Sequence, residues 1–259
     1  VRAMVEAAGG EVAAAESEQL GGAEIRLTLP LAEAAETPAP LGGDDRLRVV
    51  IVGGVAAGPK AAAKVIRMRP DAEVTVVEQG EFLSYAGCGL PYYLAGDVRD
   101  QKELMSSPLG GLRDPVFFQN VKNVRTLSRT VAAAIDRAGK RVRLRDGQSG
   151  RERWLEYDKL VLATGASPVV PPIPGRELDN IFTLHGVRDA EGIRAVLSRL
   201  QAHDVVIVGG GLLGVEATEA LTRCGGRVTI LEMQPQILNI LDEDIARLVE
   251  RHLQSHGVK

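Results

Sequence analysis

Twice in this chain a run of β-branched residues ends on glycines, a helix follows, and a second β-branched run closes on a glutamate. The first copy is "RLRVVIVGG" (46–54), "AAGPKAAAKVIRMRP" (56–70) and "AEVTVVE" (72–78). The second is "DVVIVGG" (204–210), "GLLGVEATEALTRCGG" (211–226) and "RVTILE" (227–232). Continuous apolar runs without alternation belong to strands buried on both faces, the mark of a parallel sheet. Parallel neighbours need a crossover, and a helix of this length supplies one with right-handed sense. The fold class expected is therefore α/β, with two Rossmann-like units in one chain.

The second copy carries the fuller fingerprint, Gly209, Gly211 and Gly214 in "GGGLLG". The first glycine allows the tight turn and the second lets a pyrophosphate approach the backbone. The third brings helix and strand together, with the helix N-terminus facing the phosphates. Leu212, Leu213 and Glu216 follow in the first helical turns and belong to the same expected contact surface. Glu232 ends the next strand, where a carboxylate can accept from ribose hydroxyls. A 2′-phosphate there would be repelled, and "EMQPQ" offers no arginine or lysine in compensation, so NADH is expected rather than NADPH. The first copy is less regular. "GGVAAG" supplies Gly53, Gly54, Ala56, Ala57 and Gly58, but Val55 stands where the middle glycine should be. Glu78, followed by Gln79, again closes the second strand. Two such units suit hydride transfer from a nicotinamide to a flavin.

Residues 1–45 form a separate region, with a helix end, a Gly-Gly break and two short strands in "RAMVEAAGGEVAAAES" and "AEIRLTLPL", then the linker-like "AEAAETPAPLGGDD". Residues 46–180 are assigned to the first nucleotide-binding segment and 181–259 to the second domain. Between the two fingerprints, "TVAAAIDRAGKRVRLRDG" reads as antiparallel strands around a turn, and "YDKLVLATGASP" as a buried strand entering a loop. The net charge of −3 gives no reason to expect nucleic acid or an anionic membrane as a partner. No apolar run approaches the length of a bilayer span, and no signal-peptide pattern opens the chain. Two cysteines make no disulfide framework, which sets a reducing cytoplasm as the expectation. With four scattered histidines they make no metal-binding pattern either.

One cysteine lies in an unusual setting, "FLSYAGCGLPYY". Cys88 could be an inert buried hydrophobe, a metal ligand or a redox thiol. Metal ligation lacks partners at useful spacing. Gly87 and Gly89 remove bulk beside the sulfur, and Pro91 fixes the chain just beyond. No second cysteine stands at dithiol spacing, so an intramolecular disulfide is unavailable here. Cys224, in "LTRCGG", is read as packing, as are Trp154 and Tyr157; His185, His203, His252 and His256 form no catalytic constellation.

The order "VVIVGGVAAG", "SYAGCGLPYY", "YDKLVLATGASPVVPPIPG", "VVIVGGGLLGVE" resembles the FAD-dependent pyridine nucleotide–disulfide oxidoreductases. Within them it is most similar to the single-cysteine branch of coenzyme A disulfide reductases and NADH-dependent persulfide reductases. The resemblance runs from about Arg46 to Lys259. It implies a three-layer ββα fold in which the NAD domain is inserted in the FAD domain. It also implies FAD on the first unit, with Gly53, Gly54, Ala57 and Gly58 near the pyrophosphate, Glu78 on the ribose and Val131 near the adenine. Ala163, Thr164 and Gly165 of "LATGA" would mark the crossing between the two domains. Cys88 would be the redox thiol, cycling between thiolate and a mixed disulfide with a small thiol. Oxidases and peroxidases of the superfamily carry a histidine in the first glycine loop; Ala56 stands there instead.

Lys60, Lys64 and Arg67 share one helix face, and Lys64 and Arg67 match positions that hold coenzyme A phosphates in similar enzymes. The same stripe reads equally well as a solvated face. Ser84 matches a contact near the substrate thiol, whereas Gly87 replaces the asparagine usual before the cysteine of coenzyme A disulfide reductases. Persulfides and polysulfides therefore stand beside coenzyme A disulfide as expected substrates, with an NADH oxidase or a non-catalytic redox sensor as the other readings. Family members continue past the NAD domain into a second FAD segment and a dimerisation domain. The expectation is therefore a fragment of a homodimeric parent, ending where a further strand should begin. Around "VEAAGGEV" and "IRLTLPL" the N-terminal region resembles the close of a sensor histidine kinase ATP-binding domain, without any nucleotide-contacting box.

Overall fold

In the computed structural model, residues 11–16, 23–28, 46–107, 110–199 and 204–259 are described. The expected helix end before Glu11, the linker 32–45 and His203 lie outside them. In chain order the elements are β1 (Glu11–Glu16), β2 (Ala23–Thr28), β3 (Arg48–Val52), α1 (Ala57–Met68) and β4 (Glu73–Val77). A single 3-10 turn at Gly87–Gly89 leads into α2 (Leu90–Ala95), α3 (Gln101–Leu104) and α4 (Pro115–Lys122). Then come β5 (Val124–Leu127), β6 (Thr130–Asp136), β7 (Arg141–Asp146), β8 (Glu152–Glu156) and β9 (Lys159–Leu162). The chain closes with α5 (Val187–Leu197), β10 (Asp204–Val208), α6 (Leu212–Arg223), β11 (Arg227–Leu231) and α7 (Glu243–Ser255).

Two compact units result, one of residues 1–85 and 111–166, the other of 86–110 and 167–259. Residues 86–110, which hold Cys88, group with the second unit, and the later boundary between the units falls at 166/167. In the first unit β1 and β2 pair as an antiparallel hairpin. A parallel sheet runs β5-β4-β3-β9, and β6-β7-β8 form an antiparallel meander. Successive side chains of β3 point to opposite faces. Val49 and Ile51 pack with Ala62 of α1 and Phe118 of α4, while Val50 and Val52 pack with Val142 and Leu144 of the meander. This is the three-layer α/β arrangement, with the parallel sheet in the middle and apolar on both sides.

The second unit is built on the parallel pair β10 and β11. Val205, Ile207 and Ile230 pack with Ala217, Ala220 and Leu221 of α6, and Leu94 of α2 is buried in the same cluster. Val206 and Val208 point the other way and are exposed. The Lys259 N–H donates to the Val228 carbonyl at 3.0 Å and its carbonyl accepts from Ile230 at 2.8 Å, the rung of a parallel strand beside β11.

Candidate dinucleotide loops and the Cys88 segment

β3 ends at Gly53, whose φ of +114° is open to glycine. A Cβ there would lie 2.0 Å from the Ala163 carbonyl oxygen, so the loop after β9 lies directly against this turn. Ala163, Thr164 and Gly165 are thereby brought to the first glycine loop, Thr164 and Gly165 being exposed. At Gly58 a Cβ would stand 1.8 Å from the Gly53 carbonyl oxygen, which fixes how closely α1 approaches β3. Glu78 is buried, and both its oxygens are engaged: Oε2 accepts from the Gly54 N–H at 2.6 Å and Oε1 from the Gly80 N–H at 2.7 Å. Gln79 is exposed beside it. The Thr130 N–H donates to the Glu78 carbonyl, and Val131 is the next residue along β6.

The second unit repeats this device. Gly209 has φ +111°, and a Cβ on Gly214 would lie 2.0 Å from its carbonyl oxygen. Glu232 Oε2 accepts from the Gly210 N–H at 2.7 Å and Oε1 from the Gln234 N–H at 2.9 Å. Those bonds, from Gln234 and Gly210, hold its carboxyl below the usual carboxylate range. The correspondence continues past the acid. Ser84, at φ +49°, donates its N–H to the Gly54 carbonyl; Leu238, at φ +48°, donates to the Gly210 carbonyl, each at 2.8 Å. Each is preceded by a buried side chain against the glycine, Leu83 in one unit and Ile237 in the other.

The helix starts at both loops fit a pyrophosphate, and the second loop adds an open middle glycine. α1 and α6 open without a side-chain N-cap bond and without an acidic residue in the first turn, so neither a capping side chain nor a first-turn carboxylate competes for an anion at either helix start. A Cβ on Gly211 would meet nothing within 4 Å, which leaves the open space the middle glycine is expected to provide. In the first loop Val55 is half-buried, Ala56 and Ala57 exposed. Leu212, Leu213 and Glu216 are exposed on the first turns of α6. Each glutamate retains lone pairs beyond its two backbone bonds with which to accept from a ribose hydroxyl.

Cys88 is exposed in the Gly87–Gly89 turn at the head of α2. A Cβ on Gly87 would meet nothing, whereas one on Gly89 would lie 2.6 Å from Leu104 Cδ2, so only the second glycine is demanded by packing. Lys64 and Arg67 lie exposed on α1 with Lys60, and Ser84 is half-buried. Cys224 is half-buried, with its Sγ 3.5 Å from the Leu94 carbonyl oxygen. His185, His252 and His256 are exposed, Tyr157 is buried, and Trp154 carries the Arg141 guanidinium over its ring at 4.5 Å. Among the described residues no group of three or more potential ligands could hold a metal. None of the described helices is long and apolar enough to cross a membrane. Of Gly80, Gln234, Leu83 and Ile237, to which the sequence pattern assigned no role, only Leu83 and Ile237 carried a signal, as apolar residues five positions past each glutamate.

The family model described as pyridine nucleotide-disulphide oxidoreductase matches residues 47–259. The NAD(P)H sulfur oxidoreductase (CoA-dependent) of Pyrococcus abyssi is 37% identical over 209 residues, 80% of this chain and 44% of the relative. An NADH oxidase of Methanocaldococcus jannaschii is 30% identical over 214 residues, 82% of this chain and 46% of the relative. Among solved structures, the NAD-dependent persulfide reductase from A. fulgidus superposes with a TM-score of 0.78 at 40% identity, covering 82% of this chain and 39% of that one. The chain thus spans about half the length of the curated relatives it matches. The family is FAD-dependent and uses NAD(P)H. With both dinucleotide loops inside the matched region, the chain belongs to the pyridine nucleotide-disulphide oxidoreductases.

Proposed function

We propose that this chain is part of an NADH-dependent flavoprotein that reduces low-molecular-weight disulfides or persulfides through Cys88. FAD on the Gly53–Gly58 loop supplies two-electron chemistry with NADH as donor. The protein's own residues do the rest. The Cys88 thiolate attacks one sulfur of R–S–S–R′, forming Cys88–S–S–R and releasing R′S⁻. Two electrons and a proton then cleave that mixed disulfide to the Cys88 thiolate and RSH. The sum is NADH + H⁺ + RSSR′ → NAD⁺ + RSH + R′SH. For a persulfide the released group is hydrosulfide.

The observation that carries this reading is Cys88 itself, an exposed thiol between two glycines in a chain whose other cysteine is half-buried. Glu232 and the absence of a basic residue in "EMQPQ" support NADH as donor. Lys64, Arg67 and Ser84 are the proposed substrate contacts, and coenzyme A is the proposed thiol carrier. The P. abyssi relative, named CoA-dependent, supports that choice. The parent is proposed to act as a homodimer in the cytoplasm, where a free thiol persists.

Turnover of the FAD-loaded protein with coenzyme A disulfide, coenzyme A persulfide and oxygen tests the reading. NADH consumption with a sulfur substrate, abolished by Cys88→Ser, is expected. The M. jannaschii relative gives the second reading, an NADH oxidase. Oxygen-driven NADH consumption that survives with no sulfur substrate would favour it, although Ala56 leaves no histidine in the first loop.

A further inference from the structure

The helix at whose head Cys88 stands is tied to the helix that opens on the second dinucleotide loop. α2 has only six residues, too few to hold a helical conformation alone, so its neighbours impose its shape. Leu94 is 2% exposed and packs with Ala217, Ala220 and Leu221 of α6. Beyond Gly96, the αL residue that ends α2, Asp97 receives both Arg223 Nη1 at 2.6 Å and Nη2 at 2.7 Å from the last turn of α6. On α5, the Arg194 guanidinium covers the Tyr93 ring at 4.3 Å. At the other end of α6, Gly214 seats the helix on the Gly209 carbonyl. A dinucleotide on Gly209–Gly214 therefore bears on the first turn of a twelve-residue helix along which the cysteine helix packs from Ala217 to Arg223.

We propose that Leu94 and the Asp97–Arg223 pair are positioning residues for Cys88, through which occupancy of the Gly209–Gly214 loop changes the reactivity of the thiol. Buried Leu94 supplies the attachment. The bidentate pair fixes the register of α2 along α6, a role set by the geometry of the fork rather than by its strength, which exposure keeps small. The proposal rests on the reading of Cys88 as the reacting thiol. If occupancy also changes the equilibrium of mixed-disulfide formation at Cys88, linkage requires that formation of the mixed disulfide change dinucleotide affinity by that equilibrium factor.

The test is the rate of Cys88 alkylation by iodoacetamide in FAD-loaded protein, followed by mass, with and without saturating NAD⁺. NAD⁺ donates no electrons, so turnover plays no part in the readout. In the unmodified sequence NAD⁺ is expected to change the rate about fivefold or more. Asp97→Ala should abolish the response while NAD⁺ still binds, and the charge-swapped Asp97→Arg/Arg223→Asp protein should recover it. An unmodified protein whose Cys88 rate ignores NAD⁺ would overturn the proposal. So would a full response in Asp97→Ala, or a folded swap variant without recovery. Failure of the redox reading shows elsewhere, as disulfide turnover that persists in Cys88→Ser.

Discussion

Two glycines of the second loop serve different ends, and alanine separates them. Gly214→Ala drives a Cβ to 2.0 Å from a backbone oxygen that cannot move without shifting β10. A loss of about 2 kcal/mol or more in thermal or urea unfolding is expected. Gly211→Ala enters open space at an ordinary φ of −74°, so stability should hold while NADH affinity falls, as a binding titration would show. Glu232 makes a pH-dependent contribution. Its folded pKa is depressed by the Gln234 and Gly210 N–H groups, so the stabilisation is complete above the unfolded value of about 4.3 and disappears as pH falls through the lower folded value. Glu232→Gln should therefore be less stable than the parent sequence at neutral pH. The gap should close in strong acid, and urea midpoints against pH would show it.

At the scale of elements, the two βαβ units are one design used twice. Strand, tight turn, helix, chelated glutamate and a left-handed residue that bonds back to the second glycine recur in both. The left-handed residue pins the loop after the acid onto the dinucleotide turn. Ser84 and Leu238 sit near φ +50° despite their Cβ atoms; Leu238→Val, which adds a β-branch there, should lower stability and weaken NADH binding, measured by unfolding and by titration. The units were legible because β3, β4, β10 and β11 are short continuous apolar runs punctuated by glycine, a local signal. The strands around "TVAAAIDRAGKRVRLRDG" were legible from their turn. β8, β5 and the short helices α2 to α4 were not, since four to eight residues carry too little periodicity and their conformation is set by neighbours distant in sequence. The Asp97–Arg223 contact joins residues far apart in the chain, which no local pattern announces.

Across the whole molecule, each cofactor should leave its mark on its own unit. In hydrogen exchange, FAD is expected to protect the backbone around 53–58 and 78–80, and NAD⁺ that around 209–214 and 232–234. At a hundred times its Kd either ligand should add about 2.7 kcal/mol to the unit that binds it. Protection by NAD⁺ in the first loop instead would reverse the cofactor assignment. The candidate site was legible in part for a physical reason: glycines and terminal acids are dictated by local backbone geometry and announce themselves. The chemistry of a lone thiol depends on what surrounds it in space, and there family resemblance supplied what spacing could not. Cys88 is proposed to form a mixed disulfide with a small thiol. Intact-protein and peptide mass test this after protein holding oxidised FAD and a free Cys88 thiol is mixed with coenzyme A disulfide. One coenzyme A adduct is expected on the Cys88 peptide, none on Cys224, and NADH should remove it. NADH-driven disulfide reduction with no adduct ever forming on Cys88 would contradict the claim.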